Sequence, residues 1–396
     1  MYLCTKFQKR NKLRYLTDMV ISNKPLRFII ATLVACLPLI SFANPVEDTT
    51  KVKTEVAHEA AAEEAHAEPT DVKSKIKAFI NHHLLDAHDF TLSVNEETGE
   101  HYGFSLPIIL WDNGLQVFSS AKFHHGEEVA ESNGNFYVLH HEKIYKTEAD
   151  GALTEEHGHP TNVTPLDLSI TKSVVGIIGI AILMFILFTG LAKSYAKNNG
   201  IASGAGRFFE PLVLYVRDEI AIPNIGEKNY KKYMSYLLTI FFFIFFLNIL
   251  GLTPLGFNVT GNIAITASLA LLTYLITTFS ANKNYWGHIF WMPGVPTPMK
   301  FILAPIELLG TVIKPFSLMI RLYANILAGH VVLMSIIGLM FIFKSWIGST
   351  LSFGLAFALS ILEILVAFLQ AYIFTMLSAL YFGAGNEEHH HDEAHH

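Results

Sequence analysis

"FILAPIELLGTVIKPFSLMIRLYANILAGHVVLMSIIGLMFIF", Phe301–Phe343, is apolar apart from Glu307, Lys314, Arg321, Asn325, His330 and a few hydroxyls. As one helix it would run ~65 Å at ~1.5 Å per residue, about twice a hydrocarbon core of ~30 Å. Pro305 and Pro315 are places where such a helix can kink. Ile347–Phe382 is also too long to stand upright, at ~54 Å, and tilting accommodates the excess. Arg321 cannot release its proton. Left alone at the bilayer centre, its charge would cost at least ~2.5–3.5 kcal/mol. It must therefore be paired, hydrated or used. Two long, oblique, adjacent helices with embedded polar groups predict a wall that faces a partner, not a self-contained bundle.

The rest of the chain agrees. Of 396 residues, 51% are hydrophobic, 16% are charged and 30 are Phe, which is too apolar for a soluble globule. Three further spans are predicted: Ser173–Ala192, Met234–Leu252 and Ile263–Ala281. Between the first two lies an amphipathic stretch, "FFEPLVLYVRDEIAI". Residues 193–233 hold seven Lys/Arg and residues 251–262 hold none. Positive charge marks the cytoplasmic loop, so the region before the first span is expected outside. The predicted fold is an all-α polytopic membrane protein of about five membrane helices, the last two long and strongly tilted. A small N-terminal external α+β region precedes them.

Residues 1–43 read as a signal peptide: a basic flank, an apolar core from Phe28 to Phe42, and Ser41-Phe42-Ala43 for cleavage. Met19 would start a tidier signal. An uncleaved membrane helix is the alternative, and Leu33-Val34-Ala35-Cys36 offers a lipoprotein variant. Both cysteines, Cys4 and Cys36, lie in this segment, so cleavage at Ala43 would leave no thiol. The net charge of -6 becomes -12 without it, and no basic patch points to nucleic acid.

Residues 44–71 read as a flexible linker. Residues 72–165 read as the external, periplasmic region. "VKSKIKAFINHHLLDAHDF" predicts a helix with Val72, Ile76, Phe79, Ile80 and Leu84 on one face. His82 and Asp86, with His88 nearby, could share a face and hold a metal, but packed or solvated histidine is the preferred explanation, and no metal or cofactor is assigned. Asp112-Asn113-Gly114 and Asn133-Gly134 predict hairpin turns. The acidic, His-rich tail, residues 387–396, reads as solvated and cytoplasmic.

Within residues 166–386 the polar groups follow a pattern. Ser317, Arg321 and Asn325 lie four apart on one helical face, and Glu363 and Gln370 lie seven apart on another. If Arg321 and Gln370 share a depth, His330 and Glu363 lie ~13 and ~10 Å outward on antiparallel neighbours. Glu307 lies inward. Histidine and glutamate can relay protons and a fixed guanidinium cannot, so the layout suggests two proton paths divided by a positive charge.

Four stretches carry a resemblance. "KPFSLMIRLYANILAGH" resembles the arginine helix of the a subunit of F-type ATP synthases, and "ILEILVAFLQAYIFTMLSALY" resembles its last helix. "FFLNILGLTP" is similar to its second-span signature, and "INHHL" to its external N-terminal segment. The resemblance implies that Arg321 faces a carboxylate on a rotating c-subunit ring. It implies that Asn325, His330, Glu363 and Gln370, with Asn248 nearby, line an external half-channel, and that Glu307 and Ser317 lie near the internal one. The implied partners are the c-ring, a b-type peripheral stalk, the catalytic head and membrane lipid, in a bacterial inner membrane. Gly251 and Asn262 stand where some relatives carry acids, and residues 90–165 are an insertion outside the common pattern. The chain lacks the P-loop pattern and by itself would catalyse nothing. A secondary proton-coupled transporter, which would show inverted repeats and broken helices, is the competing reading. A metal-dependent membrane enzyme would need a His/acid cluster within the spans, where only His330 is found.

Overall fold

The computed structural model describes residues 85–94, 101–126, 128–156, 159–197, 204–253, 257–292, 295–342 and 346–386. The expected signal, linker, most of the first helix with His82, and the terminal tail lie outside the described residues.

The first described part is built of strands. These are β1 (Asp89–Val94), β2 (His101–Ser105), β3 (Pro107–Trp111), β4 (Leu115–Ser119), β5 (Ala130–Ser132), β6 (Asn135–His140), β7 (Lys143–Thr147), β8 (Glu155–Glu156), β9 (His159–Pro160) and β10 (Leu166–Asp167). They pair as β1-β2, β10-β3-β4, β5-β6-β7 and β8-β9, with antiparallel neighbours throughout. Alternation decides which side is buried. Ile108 and Leu110 of β3 and Phe118 of β4 turn inward onto Phe123, Ala130, Tyr137 and Ile144. Both expected turns are present. Trp111 pairs with Leu115 across Asp112-Asn113-Gly114. Ser132 pairs with Asn135 across Asn133-Gly134, whose φ angles of 49° and 80° suit a two-residue hairpin. A third turn, His141-Glu142, has φ of 49° and 60° without any glycine.

The expectation of a helix running through Asp86 and His88 is corrected. Residues 86–88 are irregular and β1 begins at Asp89. The backbone N–H of His88 donates to Glu142 Oε2 (3.1 Å), which takes it out of any helical ladder. Before the first span, the described residues hold one helical segment, the short 3-10 helix Ser120–Gly126, and the rest of the regular structure described there is strand.

Eight α-helices follow among the described residues: α1 (Lys172–Lys197), α2 (Ala205–Tyr215), α3 (Ile222–Ile225), α4 (Tyr230–Gly251), α5 (Ile263–Ser280), α6 (Lys283–Phe290), α7 (Thr297–Ile342) and α8 (Trp346–Asn386). Five of them, α1, α4, α5, α7 and α8, are long and apolar enough to cross a membrane. A π-helical stretch, Val216–Ala221, joins α2 to α3. In it the buried guanidinium of Arg217 donates twice to the neighbouring Asp218, from Nε and Nη2, each at 2.8 Å.

Helix α4 is the centre of the bundle. In its most apolar stretch 78% of residues are buried, against 17% in both α7 and α8. The phenylalanines of α4 supply much of the core: Phe241 and Phe245 meet Phe368 of α8 edge-on, and Phe242 meets Phe188 of α1. Tyr233 stacks on Phe382 at 4.5 Å. Helices α7 and α8 pack on this core along one side and leave long apolar faces open, Phe301, Ile313 and Phe316 on one and Leu351, Phe357 and Leu365 on the other. At 46 and 41 residues they run ~69 and ~62 Å, so neither can stand upright in a bilayer.

The two ends of the bundle are distinct. At one end the β-region sits on the start of α1 and on the loop between α4 and α5. At the far end Asn282 N donates to Gly385 O, and Asn386 donates to the Tyr233 hydroxyl. There α8 presses so closely on α3 that a Cβ at Gly383 would collide with the carbonyl of Asn224.

Candidate functional site

The polar residues of α7 pass from its open face into the interior. Ser317 and Arg321 are exposed, Asn325 is half-buried, and His330 is buried with 7% exposure. Arg321 makes no ion pair among the described residues. Next along the face toward the β-region end, Asn325 Nδ2 donates to Gln370 Oε1 of α8 at 3.3 Å. Gln370 is buried. The expected shared depth of Arg321 and Gln370 is therefore shifted by one turn, because the α7–α8 register places Gln370 against Asn325.

That register brings Glu363 beside Gly329. A Cβ added at Gly329 would lie 2.7 Å from Glu363 Oε1, so the carboxylate occupies room that a larger residue would fill. The other oxygen, Oε2, is buried without a hydrogen-bond partner. His330, next in sequence, turns toward α4. Its Nε2 lies 3.3 Å from where a Gly251 Cβ would be. No ion pair joins His330 to Glu363 among the described residues. They flank one level of the bundle from two sides.

Asn248, one turn before Gly251 on α4, accepts from Thr260 Oγ1 at 3.0 Å, while its own buried Nδ2 has no partner. Asn262 uses its side chain to cap α5, accepting from Ala264 N at 3.0 Å. Asn248 Nδ2 and Glu363 Oε2 are thus buried polar atoms that a water could satisfy.

On the far side of Arg321 lies a second polar group that the sequence reading missed. Thr273, Tyr274 and Thr277 of α5, Tyr285 of α6, Thr311 and Lys314 of α7 and Tyr381 of α8 line a cavity of about 20 Å³, room for a water. Tyr236 and Thr273 share a hydrogen bond of 2.7 Å beside it, and Lys314 Nζ lies 5.8 Å from the Tyr381 ring. Glu307 is half-buried on the same part of α7. The signal available was Thr273 and Thr277, four apart, but hydroxyls that bond their own helix backbone are common in apolar helices and carry little weight in a sequence.

Asp86 and His88 form a joint between the β-region and α1 instead of a shared helix face. Asp86 accepts from Thr171 Oγ1 and Ser173 N, each at 3.0 Å, and the second bond satisfies a free N–H in the first turn of α1. Its burial outweighs these bonds and pushes its carboxyl above the usual range. His88, 4% exposed, meets Asp167 at 2.8 Å and Glu142 at 3.6 Å. Burial alone would lower its pKa, but the bonds and charges of Asp167 and Glu142 raise it to about 10. For Asp167, burial acts upward and the His88 bond and charge win, holding it below the ordinary value.

Residues 174–383 match the family described as ATP synthase A chain. Residues 79–168 match a domain of unknown function (DUF8433). The "ATP synthase subunit a" of Chloroherpeton thalassium is 44% identical over 236 residues, 58% of this chain and 70% of the relative. The "ATP synthase subunit a 2" of Chlorobaculum tepidum is 41% identical over 262 residues, 64% of this chain and 74% of the relative. The "ATP synthase subunit a" of Pelodictyon phaeoclathratiforme is 38% identical over 289 residues, 69% and 82%.

Proposed function

This chain belongs to the ATP synthase A chain family, the a subunits of the F-type membrane sector, and we propose that it is the proton-conducting stator subunit, itself non-catalytic. It offers two offset half-channels to a rotating ring of c subunits. A b-type peripheral stalk and, through the complex, the catalytic head complete its partners. The membrane is the bacterial inner membrane, with the β-region in the periplasm and the C-terminus in the cytoplasm.

The observation that carries this reading is the exposed Arg321, on the open face of α7, between two separate polar groups. On the β-region side are Asn325, Gln370, His330, Glu363 and Asn248. On the far side are Ser317, Glu307 and the hydroxyl-lined cavity. A proton reaches a ring carboxylate by way of His330 and Glu363, which can each take and release one. The neutralised carboxylate then moves into lipid with the ring. The next carboxylate arrives ionised, is attracted by Arg321, and has shed its proton through the far-side group. Because the guanidinium stays charged, protons do not hop directly between the two paths. Each charge that crosses is worth ~2.3 kcal/mol per 100 mV. The open apolar faces of α7 and α8 suit both lipid and an apolar ring surface.

The test is Arg321→Ala in the assembled complex, reconstituted in vesicles. ATP-driven pumping is expected to vanish and passive proton leak to rise. Arg321→Lys is expected to fail as well, since lysine lacks the planar fork and can lose its proton. Pumping at the parental rate in Arg321→Ala would overturn the reading.

A further inference from the structure

The β-region that the family core does not contain is seated on the wall of the proposed uptake path. Asp86 bonds the start of α1, Lys172 N donates to Ala87 O at 3.0 Å, and Phe90 follows directly. Phe90 is 6% exposed and belongs to the same buried cluster as the membrane helices. Its ring stacks on Phe104 at 4.6 Å and leans on Phe257 at 5.3 Å. Lys172 Nζ lies 5.6 Å from the Phe90 ring and 5.9 Å from the Phe257 ring.

Phe257 lies in the loop between α4 and α5. Its ring packs on bare α1 backbone: a Cβ at Gly176 would come within 2.8 Å of it. Its carbonyl oxygen would be 3.0 Å from a Cβ at Gly251, the same point that His330 Nε2 approaches at 3.3 Å. Three residues on, Thr260 holds Asn248. Phe90 thus packs on Phe257, Phe257 and His330 both approach Gly251, and the same loop carries Thr260 to Asn248.

We infer that the β-region seats the loop 257–262 and thereby shapes proton access to His330, with Phe90 as a positioning residue acting through Phe257. The inference rests on the proposed role of His330. Phe90 is uncharged and carries no proton itself. The titratable groups around it are Asp86, Asp89, Glu142 and Lys172, of which Lys172 lies over its ring. The loop is held from one side by α1 and from the other by Phe90. Loss of the aromatic ring frees one side and lets the Phe257 carbonyl and Thr260 drift from Gly251 and Asn248.

The experiment measures ATP synthesis by the full complex in vesicles, driven by lumenal acidification at fixed potential, with the β-region facing the lumen. In Phe90→Ala the half-saturating lumenal proton concentration is expected to rise on the order of ten-fold, as small misplacements do, with the maximal rate per assembled complex retained. A purely structural defect would lower the amount of complex and leave half-saturation unchanged. Phe257→Ala should give the same shift, the double variant should add nothing, and Phe90→Leu should restore most of the parental value. If Phe90→Ala does not assemble, Phe104→Ala decides. It removes the ring stacked on Phe90 from a position 51% exposed, and a shift of several-fold in the same direction is expected. Parental half-saturation in the assembled variant, alongside an impaired His330→Ala, overturns the inference and leaves the proposed path standing. An unimpaired His330→Ala overturns the path and the inference with it.

Discussion

Asn325 Nδ2 donates to Gln370 Oε1 at 3.3 Å, and this bond locks α7 against α8 one turn from Arg321. Neither partner is charged, so together they can orient a neighbour without neutralising it. Interhelical bonds of this kind average only ~0.6 kcal/mol in membranes. A double-mutant cycle with Asn325→Ala and Gln370→Ala should therefore show a coupling of that order in thermal unfolding of the complex. The functional loss should be larger than the stability loss, and pumping should fall in both single variants. Equal, purely stability-scaled losses would mean that the pair serves packing alone.

Gly329 and Glu363 make the second prediction. Because the Glu363 carboxylate occupies the room beside Gly329, Gly329→Ala is expected to displace it and slow proton conduction. In a Glu363→Ala background the same substitution should have little further effect. The exchange His330→Glu with Glu363→His should recover part of the conduction that either single change to alanine loses. Conduction assays on assembled complexes decide both. An exchange no better than the single changes would separate the two residues functionally.

The joint at His88 predicts a pH window. The folded pKa of His88 is raised to about 10, so its contribution is complete below its unfolded value of ~6.5 and is lost as pH climbs through about 10. Asp167 is depressed, so its contribution is present above its ordinary value and is lost as pH falls through the lower folded one. The β-region should stay docked between these limits. His88→Ala removes the imidazole that faces both Asp167 and Glu142 and should cost about 3 kcal/mol. Hydrogen exchange across β1 and β10 in the assembled complex reads it. Protection at neutral pH equal to that of the parent would exclude a clamp.

At the far end of the bundle, Gly383→Ala places a methyl group against the backbone carbonyl of Asn224. Overpacking of this kind costs about 1–3 kcal/mol, and backbone cannot swing aside as a flexible side chain can. A lowered thermal midpoint of the complex is expected, whereas Gly354→Ala, with open space around it, should leave the midpoint unchanged.

The sequence by itself determined the five spans, the excess length of α7 and α8, and the hairpins at Asn113-Gly114 and Asn133-Gly134. It also determined the row Ser317, Arg321, Asn325 on one helical face. Each is a local property: hydrophobic run length, helical period, or a turn residue's freedom at positive φ. The turn at His141-Glu142 was hidden because no glycine marks it, and Glu142 is engaged by His88, 54 residues away. Only the tertiary structure decided that Gln370 meets Asn325, that Glu363 fills the space beside Gly329, and that Asp86 and His88 join the β-region to α1. Only it gathered three threonines, three tyrosines and Lys314 from four helices around one cavity. Helix register, and the choice of partner for a buried polar group, depend on contacts far apart in the chain, and no local pattern encodes them.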